Sequence, residues 1–104
     1  TMNSVFINDS VPDGLSVSFV GRNGICKSRS LNEAAASMSV SGWSLGTSVN
    51  IVDLNTGTMA NLEVFRDKHS LLEVSPSIQN YSHFNMYKHA TMRGLDQFEP
   101  TTVT

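Results

Sequence analysis

The chain has 104 residues, the size of one domain, with 39% hydrophobic residues, 15% charged residues and a formal net charge of −2. Both fractions lie below those of a typical globular domain because Ser, Asn and Thr are abundant, which excludes a coiled coil and a highly charged disordered tail. Seven Lys and Arg residues against nine Asp and Glu residues also disfavour a protein that coats nucleic acid, since such proteins are usually basic.

Two further features bear on the compartment in which the protein works. No apolar run approaches the roughly 20 residues of a membrane-spanning helix, and no basic segment followed by an apolar one opens the chain as a signal peptide would. The single cysteine, Cys26, cannot form an intramolecular disulfide. We therefore expect a cytoplasmic protein with no membrane partner, in the host cytoplasm if the source is a phage or a virus.

The first part of the chain carries strand and turn signals. Ser4–Asn8 is a short strand candidate, and Leu15–Phe19 alternates apolar and polar residues with the period of a half-buried strand. Asn23 and Gly24 follow, and this dipeptide is a strong hairpin signal because both central positions of a type I′ turn need a positive φ. The sequence therefore predicts a first β-hairpin centred on Asn23 and Gly24.

The register of that hairpin would sort its side chains onto two faces. With a two-residue turn, Cys26 shares the apolar face with Phe19 and is predicted to be a buried, inert thiol. The opposite face would carry Arg22, Lys27 and Arg29 with no acidic residue among them. This basic face is either an ordinary solvated strand surface or a contact for an anion, a nucleic acid or an acidic protein.

A capped helix follows the predicted hairpin. Ser30 and Glu33 have the spacing of a capping box, in which the Ser hydroxyl accepts from the Glu33 amide and the Glu33 carboxylate accepts from the Ser30 amide. Apolar residues at helical spacing continue from Leu31 to Met38, which predicts a helix of two to three turns. Trp43, in the Ser- and Gly-rich stretch that ends the helix, is interpreted as a residue covering the edge of the core.

A second hairpin is predicted from Val49–Leu54 and Met59–Phe65, which flank the turn residues Asn55–Thr58. A loop with an even number of residues is favoured, because an odd loop would mix polar side chains into the apolar face. The even loop places four apolar residues on one face: Val49, Ile51, Leu62 and Val64. After the charged turn Arg66–Lys68, Leu71–Val74 is a further strand candidate.

The end of the chain is less regular. Residues 78–92 carry aromatic residues at every third position, as in a helix face, but they are rich in poor helix formers, and we prefer a strand. Residues 94–104 have little to bury and are predicted to form a flexible tail after a single domain of residues 1–93. The predicted fold is α+β, a small antiparallel β-sheet built from hairpins with one short capped α-helix packed on one face.

Motifs for catalysis and metal binding are incomplete, so we predict no catalytic, cofactor-binding or metal-ligating residue. Cys26 is placed in the core, away from a histidine base. His83 and His89 lack the spacing of two metal ligands on one helix face, and no established zinc pattern completes Asp67 and His69. A small enzyme that uses His69, His83 or His89 is retained only as a third alternative.

The leading functional expectation is a small non-enzymatic protein that binds another protein, as phage and viral accessory proteins do when they block host machinery. Self-association is compatible with this expectation. The alternative is a nucleic-acid-binding module that uses the basic face, with tyrosines for base stacking. The protein-binding hypothesis places the contact in the aromatic and Met-rich late segment, whereas the nucleic-acid hypothesis uses the basic face. The candidate binding residues of the two hypotheses together are Arg22, Lys27, Arg29, Tyr81, Phe84, Tyr87, Lys88 and Arg93.

Overall fold

The computed structural model describes residues 2–5, 13–75, 77, 81–82 and 87–95. In chain order these residues form β1 (Met2–Val5), α1 (Val17–Lys27), α2 (Leu31–Met38), β2 (Gly46–Asp53), β3 (Thr58–Phe65) and β4 (Lys68–Val74). The α+β class is confirmed. One helix was predicted, and the described residues form two. Neither helix is long and apolar enough to cross a bilayer.

The four strands form one antiparallel sheet in the order β1-β2-β3-β4. In the β2–β3 hairpin Asp53 pairs with Thr58, so the loop has an even number of residues, as predicted. The Asp53 carboxylate accepts the Asn55 amide at 2.9 Å, which fixes the start of this loop. A tighter turn joins β3 to β4, where Phe65 pairs with Lys68.

One face of the sheet, here called the helix-covered face, holds the main core. The even loop places its apolar side chains together as predicted, and α2 packs over β2 and β3. Trp43 is fully buried against them, which confirms its predicted position in the core. The buried residues of this cluster are Leu31, Ala34, Ala35, Met38, Trp43, Val49, Ile51, Ala60, Leu62 and Val64.

Helix α2 begins with the predicted capping box, with one difference. The Glu33 amide donates to Oγ of Ser30 at 3.2 Å, as expected. The Glu33 carboxylate, however, accepts from the amide of Arg29 at 2.8 Å rather than from that of Ser30. Both bonds satisfy backbone donors that a helix start leaves unpaired, so α2 starts where its local chemistry places it.

The first predicted hairpin is wrong, because Val17–Lys27 form α1 instead. Gly24, assigned from sequence to a turn, lies where α1 packs against α2. A Cβ atom on Gly24 would lie 2.6 Å from Cγ of the fully buried Met38, so glycine is the residue that permits this close approach. The demand for close helix packing, and not for a positive φ, explains this glycine.

The remaining strand predictions are partly confirmed. β1 overlaps the predicted Ser4–Asn8 strand but begins earlier, and residues 6–12 lie outside the described part of the chain. The predicted Leu71–Val74 strand is confirmed and extends back to Lys68. Leu15 forms a single bridge with Trp43, and the strand predicted to continue from it to Phe19 is replaced by the start of α1.

The second face of the sheet, here called the polar face, is covered by the C-terminal segment, meaning residues 81–82 and 87–95. These residues form neither the preferred strand nor the alternative helix. Tyr87 and Met92 are buried with Val5 of β1, and Leu95 packs against this small cluster. Leu95 belongs to the predicted tail, while residues 96–104 lie outside the described residues.

Candidate functional site

The outer side of α1 exposes a large aromatic side chain. Phe19 lies at the centre of this side of the helix and is 81% exposed. Arg22, Asn23 and Cys26 are also exposed, and they follow Phe19 at i+3, i+4 and i+7, the spacing of one helix face. We call these four residues the α1 outer face.

Helix α1 takes this orientation because its smallest residues face inward. Gly21 and Gly24 are its buried residues, and Gly21 contacts the side chain of Met2 on β1. Val17 and Val20, on the same side, pack partly against the core. With the glycines against the sheet and α2, Phe19 is left on the side that faces solvent.

The charge on α1 differs from the charge on the rest of the molecule. Arg22, Lys27 and Arg29 are all exposed, and residues 17–29 contain no Asp or Glu. Outside this segment, four Lys and Arg residues stand against nine Asp and Glu residues. A local positive surface therefore lies on a chain that is otherwise negative.

The predicted basic face must be redrawn on this helix. Arg22 and Lys27 are five residues apart, which separates them by about 140° around the axis, and Arg29 follows the end of α1. Arg22 therefore belongs to the outer face and Lys27 lies to one side of it, so the three cations do not share one flat strand surface. Cys26, predicted to be buried with Phe19, is exposed, and so is Phe19.

The aromatic candidates of the late segment take structural positions. Tyr87 is buried, donates its hydroxyl to the Val64 carbonyl at 2.6 Å, and meets the Phe65 ring edge-to-face at 6.2 Å. Tyr81 is half-buried, and its hydroxyl donates to Oδ1 of Asn61 at 3.0 Å. Phe84 lies outside the described residues. The described tyrosines thus attach the C-terminal segment to the sheet.

The two basic candidates of that segment are held locally. Nζ of Lys88 donates to the Ser82 carbonyl at 2.5 Å and lies 4.8 Å from the centre of the Tyr81 ring. Arg93 is exposed, and its Nε donates to the Lys88 carbonyl at 3.1 Å. These contacts hold the Lys88 ammonium group beside Tyr81 and attach the Arg93 side chain to the backbone of Lys88.

A buried carboxylate, missed in the sequence, lies beneath this segment. Glu63 on β3 is fully buried and accepts the amide hydrogens of Lys88 at 2.6 Å and His89 at 2.9 Å. Nδ1 of His89 lies 3.8 Å from the same carboxylate. With each oxygen accepting a backbone amide, Glu63 acts as a clamp on the C-terminal segment.

Asn61 extends this polar network along β3. It is fully buried, and its amide group donates to Oγ of Ser48 and Oδ1 of Asn50, each at 2.8 Å. Its oxygen accepts the Tyr81 hydroxyl. Burial, and secondly the charge of Glu63, raises the pKa of Tyr81 to about 12, so the phenol stays protonated at neutral pH.

A pocket of about 350 Å³ lies between β4 and the C-terminal segment, next to this network. Ser70, Leu72, Tyr81, Lys88 and His89 are among the residues that line it. Within the described ranges, no group of three His, Cys, Asp or Glu side chains is placed to hold a metal ion. At this pocket the Tyr81 hydroxyl donates to Asn61 and the Lys88 ammonium group to the Ser82 carbonyl.

Alternation alone placed Asn61 and Glu63 opposite the apolar residues of β3, and in the sequence that pattern is typical of a solvated strand face. The aromatic residues that follow the last strand were the one available signal that this face is covered. No protein-family model, curated protein or solved structure matches the chain. The α1 outer face, with its exposed aromatic ring and flanking cations, is the candidate functional site.

Proposed function

We propose that this is a small non-enzymatic binding protein that docks the α1 outer face into an apolar, acid-rimmed groove on a partner protein. The observation that carries the proposal is the 81% exposure of Phe19 on a helix that packs inward through glycines. A large aromatic side chain contributes most to binding when a partner removes it from water.

The spacing of the exposed residues matches helix-in-groove recognition. In that mode apolar anchors recur at i, i+3, i+4 and i+7; here Phe19 is the one large apolar anchor, and Arg22, Asn23 and Cys26 occupy the other three positions. Aromatic and arginine side chains are also the types enriched among residues that dominate binding energies. Phe19 would fill the centre of the groove, and Arg22 would lie at its rim.

Charge supports an acidic partner. Arg22 lies on the outer face, Lys27 is exposed on the same helix and Arg29 just after it, and residues 17–29 carry no acidic side chain to neutralise them. Opposite charge on the partner would speed association and orient α1 in the groove.

The nucleic-acid alternative has less support. It relied on Tyr81 and Tyr87 as stacking platforms beside the cations. Tyr87 is buried, and the Tyr81 ring lies under the Lys88 ammonium group while its hydroxyl is bonded to Asn61. Phe19 is the aromatic residue that the described structure exposes on the same element as Arg22.

The unique cysteine allows a direct test. Cys26 lies on the outer face, two helical turns from Phe19, so a photo-crosslinker attached there would sit beside a partner bound at α1. We expect covalent capture of a protein from lysate of the source organism. The matched control carries the crosslinker at Leu54→Cys in a Cys26→Ser background, because Leu54 is 91% exposed at the β2–β3 turn.

Affinity for the captured, purified partner then decides the proposal. Phe19→Ala is expected to weaken binding about 10- to 30-fold, since a buried aromatic contributes on the order of 2 kcal/mol. Leu54→Ala should leave binding unchanged. Equal affinity of Phe19→Ala and the parent would overturn the proposal, and capture that nuclease treatment abolishes would favour the nucleic-acid alternative.

A further inference from the structure

β4 is the last strand of the sheet, and its outer edge has a defined hydrogen-bonding pattern. Phe65 and Lys68 flank the two-residue turn between β3 and β4 and so form a hydrogen-bonded pair. Because bonded and non-bonded pairs alternate in an antiparallel ladder, every second residue of β4 directs its backbone groups away from β3. These outward residues are His69, Leu71 and Glu73.

Among the described residues, Thr91 of the C-terminal segment comes near this edge, since it lines pockets with Leu71 and with His69. No backbone hydrogen bond from another described element reaches His69, Leu71 or Glu73. All three residues are exposed, with Leu71 at 43%. Unpaired amide and carbonyl groups along an edge strand are a template for pairing with another strand.

The side chains of these three residues lie on the helix-covered face of the sheet, beyond the reach of the main core. His69 pairs across the ladder with Val64, Leu71 with Leu62, and Glu73 with Ala60. None of these neighbours carries a charge. The two charged or chargeable side chains therefore have no opposite charge directly across β3.

The edge is complementary to a second copy of itself. A two-fold axis perpendicular to the sheet makes two β4 strands antiparallel. Centred on Leu71, this arrangement places Leu71 against Leu71 of the second copy and His69 against the second copy's Glu73, once on each side of the axis. The outward amide and carbonyl groups of His69, Leu71 and Glu73 would then all be hydrogen-bonded. The contact would contain the pair of a His69 imidazole facing a Glu73 carboxylate twice.

Neighbouring registers are less favourable. A two-fold axis at Ser70 would place Glu73 opposite the second copy's Asp67, so that like charges meet. An axis at Leu72 would pair Leu71 with Glu73 and leave His69 opposite Ser75. The Leu71-centred register alone among these three matches apolar with apolar and acid with imidazole.

We propose that two copies of this chain associate through their β4 edges in the Leu71-centred register, joining two four-stranded sheets into one continuous sheet. Charged residues on an edge normally oppose the addition of another strand. Here His69 and Glu73 lie on either side of Leu71, so an antiparallel second copy of β4 places each of them opposite a complementary side chain. The contact leaves the α1 outer face free and is independent of the proposed binding function.

Sedimentation velocity over a concentration series tests the association, with exposed charges as the variables. The parent should shift from the 11.3 kDa monomer to twice that mass as concentration rises. His69→Glu alone should raise the dissociation constant about tenfold, because it places two carboxylates together at both ends of the contact. Glu73→Lys alone should also raise it, because it removes the carboxylate that faces each imidazole. The double variant restores opposite charges and should return the dissociation constant to near the parent value.

Two controls separate this contact from other effects. Lys68→Glu changes a charge on the same strand but at a position that faces Val74 of the second copy, so it should not alter the dissociation constant. Phe19→Ala should likewise leave it unchanged. In the associated form, amide exchange should slow at His69, Leu71 and Glu73 in particular.

A monomer at all concentrations up to about 1 mM, the weak limit of specific association, would overturn the proposal. A dimer that neither single variant weakens, or that the double variant fails to restore, would overturn it as well. Neither result would bear on partner binding by α1, since that function is measured with the Phe19 variant.

Discussion

The two faces of the sheet are stabilised by different interactions, although the same strands build both. On the helix-covered face, apolar residues such as Leu62 pack against α2 and Trp43, and burial of apolar area provides the driving force. On the polar face, Glu63 and Asn61 are as deeply buried, yet each is satisfied by hydrogen bonds. A strand residue can thus be fully buried on either face, and the segment that packs over the face determines whether its side chain is apolar or polar.

The two faces should also differ in which substitutions they tolerate. Apolar packing tolerates replacement by side chains of similar volume. The polar face depends on particular acceptors, because the amides of Lys88 and His89 need the Glu63 oxygens when the C-terminal segment lies on the sheet. We expect substitutions on the two faces to differ accordingly.

The largest loss is expected on the helix-covered face. Leu62→Ala should lower the free energy of unfolding by about 2 to 5 kcal/mol, since it leaves a cavity beside α2 in a fully buried site. Urea denaturation, followed by circular dichroism, measures this change. Leu54→Ala is the matched control, and its effect should be near zero because Leu54 is exposed. Equal losses at both positions would contradict the described core.

A smaller but more localised loss is expected on the polar face. Glu63→Ala should cost about 2 to 3 kcal/mol, because two buried amides lose their acceptor. Its distinguishing sign is faster amide exchange in residues 87–95 at denaturant concentrations where β2 and β3 remain protected. Asp13→Ala, which removes an exposed carboxylate outside the sheet, is the control. Uniformly faster exchange throughout the sheet would contradict the clamp assigned to Glu63.

The helix that covers the apolar face should depend modestly on its cap. Ser30→Ala removes the acceptor of the Glu33 amide and should cost about 1 kcal/mol. Ser37→Ala, at an exposed interior position of α2, should be neutral or slightly stabilising, since alanine favours helix. Equal effects of the two variants in thermal or urea unfolding would show that the cap contributes nothing to α2.

The smallest effect concerns Tyr81 on the polar face. Its pKa is raised from 10.0 to about 12, so its contribution to stability is complete below pH 10 and is lost as the pH rises through about 12. The difference in tyrosinate absorbance between the parent and Tyr81→Phe should report this late ionisation. A difference transition near pH 10 would contradict the burial of the phenol beside Glu63.

How far the sequence predicts the fold depends on the range of the interaction. The capping of α2 involves Ser30 and Glu33, and the even loop follows from the alternation in β2 and β3, so both could be predicted. The Asn23–Gly24 hairpin could not be rejected locally. Its glycine is required by Met38, which approaches it only when α1 and α2 pack together.

The candidate site divides in the same way. Arg22, Lys27 and Arg29 were predicted to be exposed from the hairpin register and their lack of acidic neighbours; they are exposed, although that register is wrong. The exposure of Phe19 and Cys26 was predicted wrongly, because the helical period turns them away from the face that a strand would have given them.

The amino-acid sequence by itself determined the α+β class, the start of α2 and the apolar face of β2 and β3, since each rests on side chains a few residues apart. Tertiary structure alone decided that α1 is a helix and that Glu63 is buried. The backbone amides that donate to Glu63 lie 25 and 26 residues away, at Lys88 and His89. A buried polar group is stable only when it is hydrogen-bonded, and the residues near Glu63 in the sequence do not show which distant residues will supply those bonds.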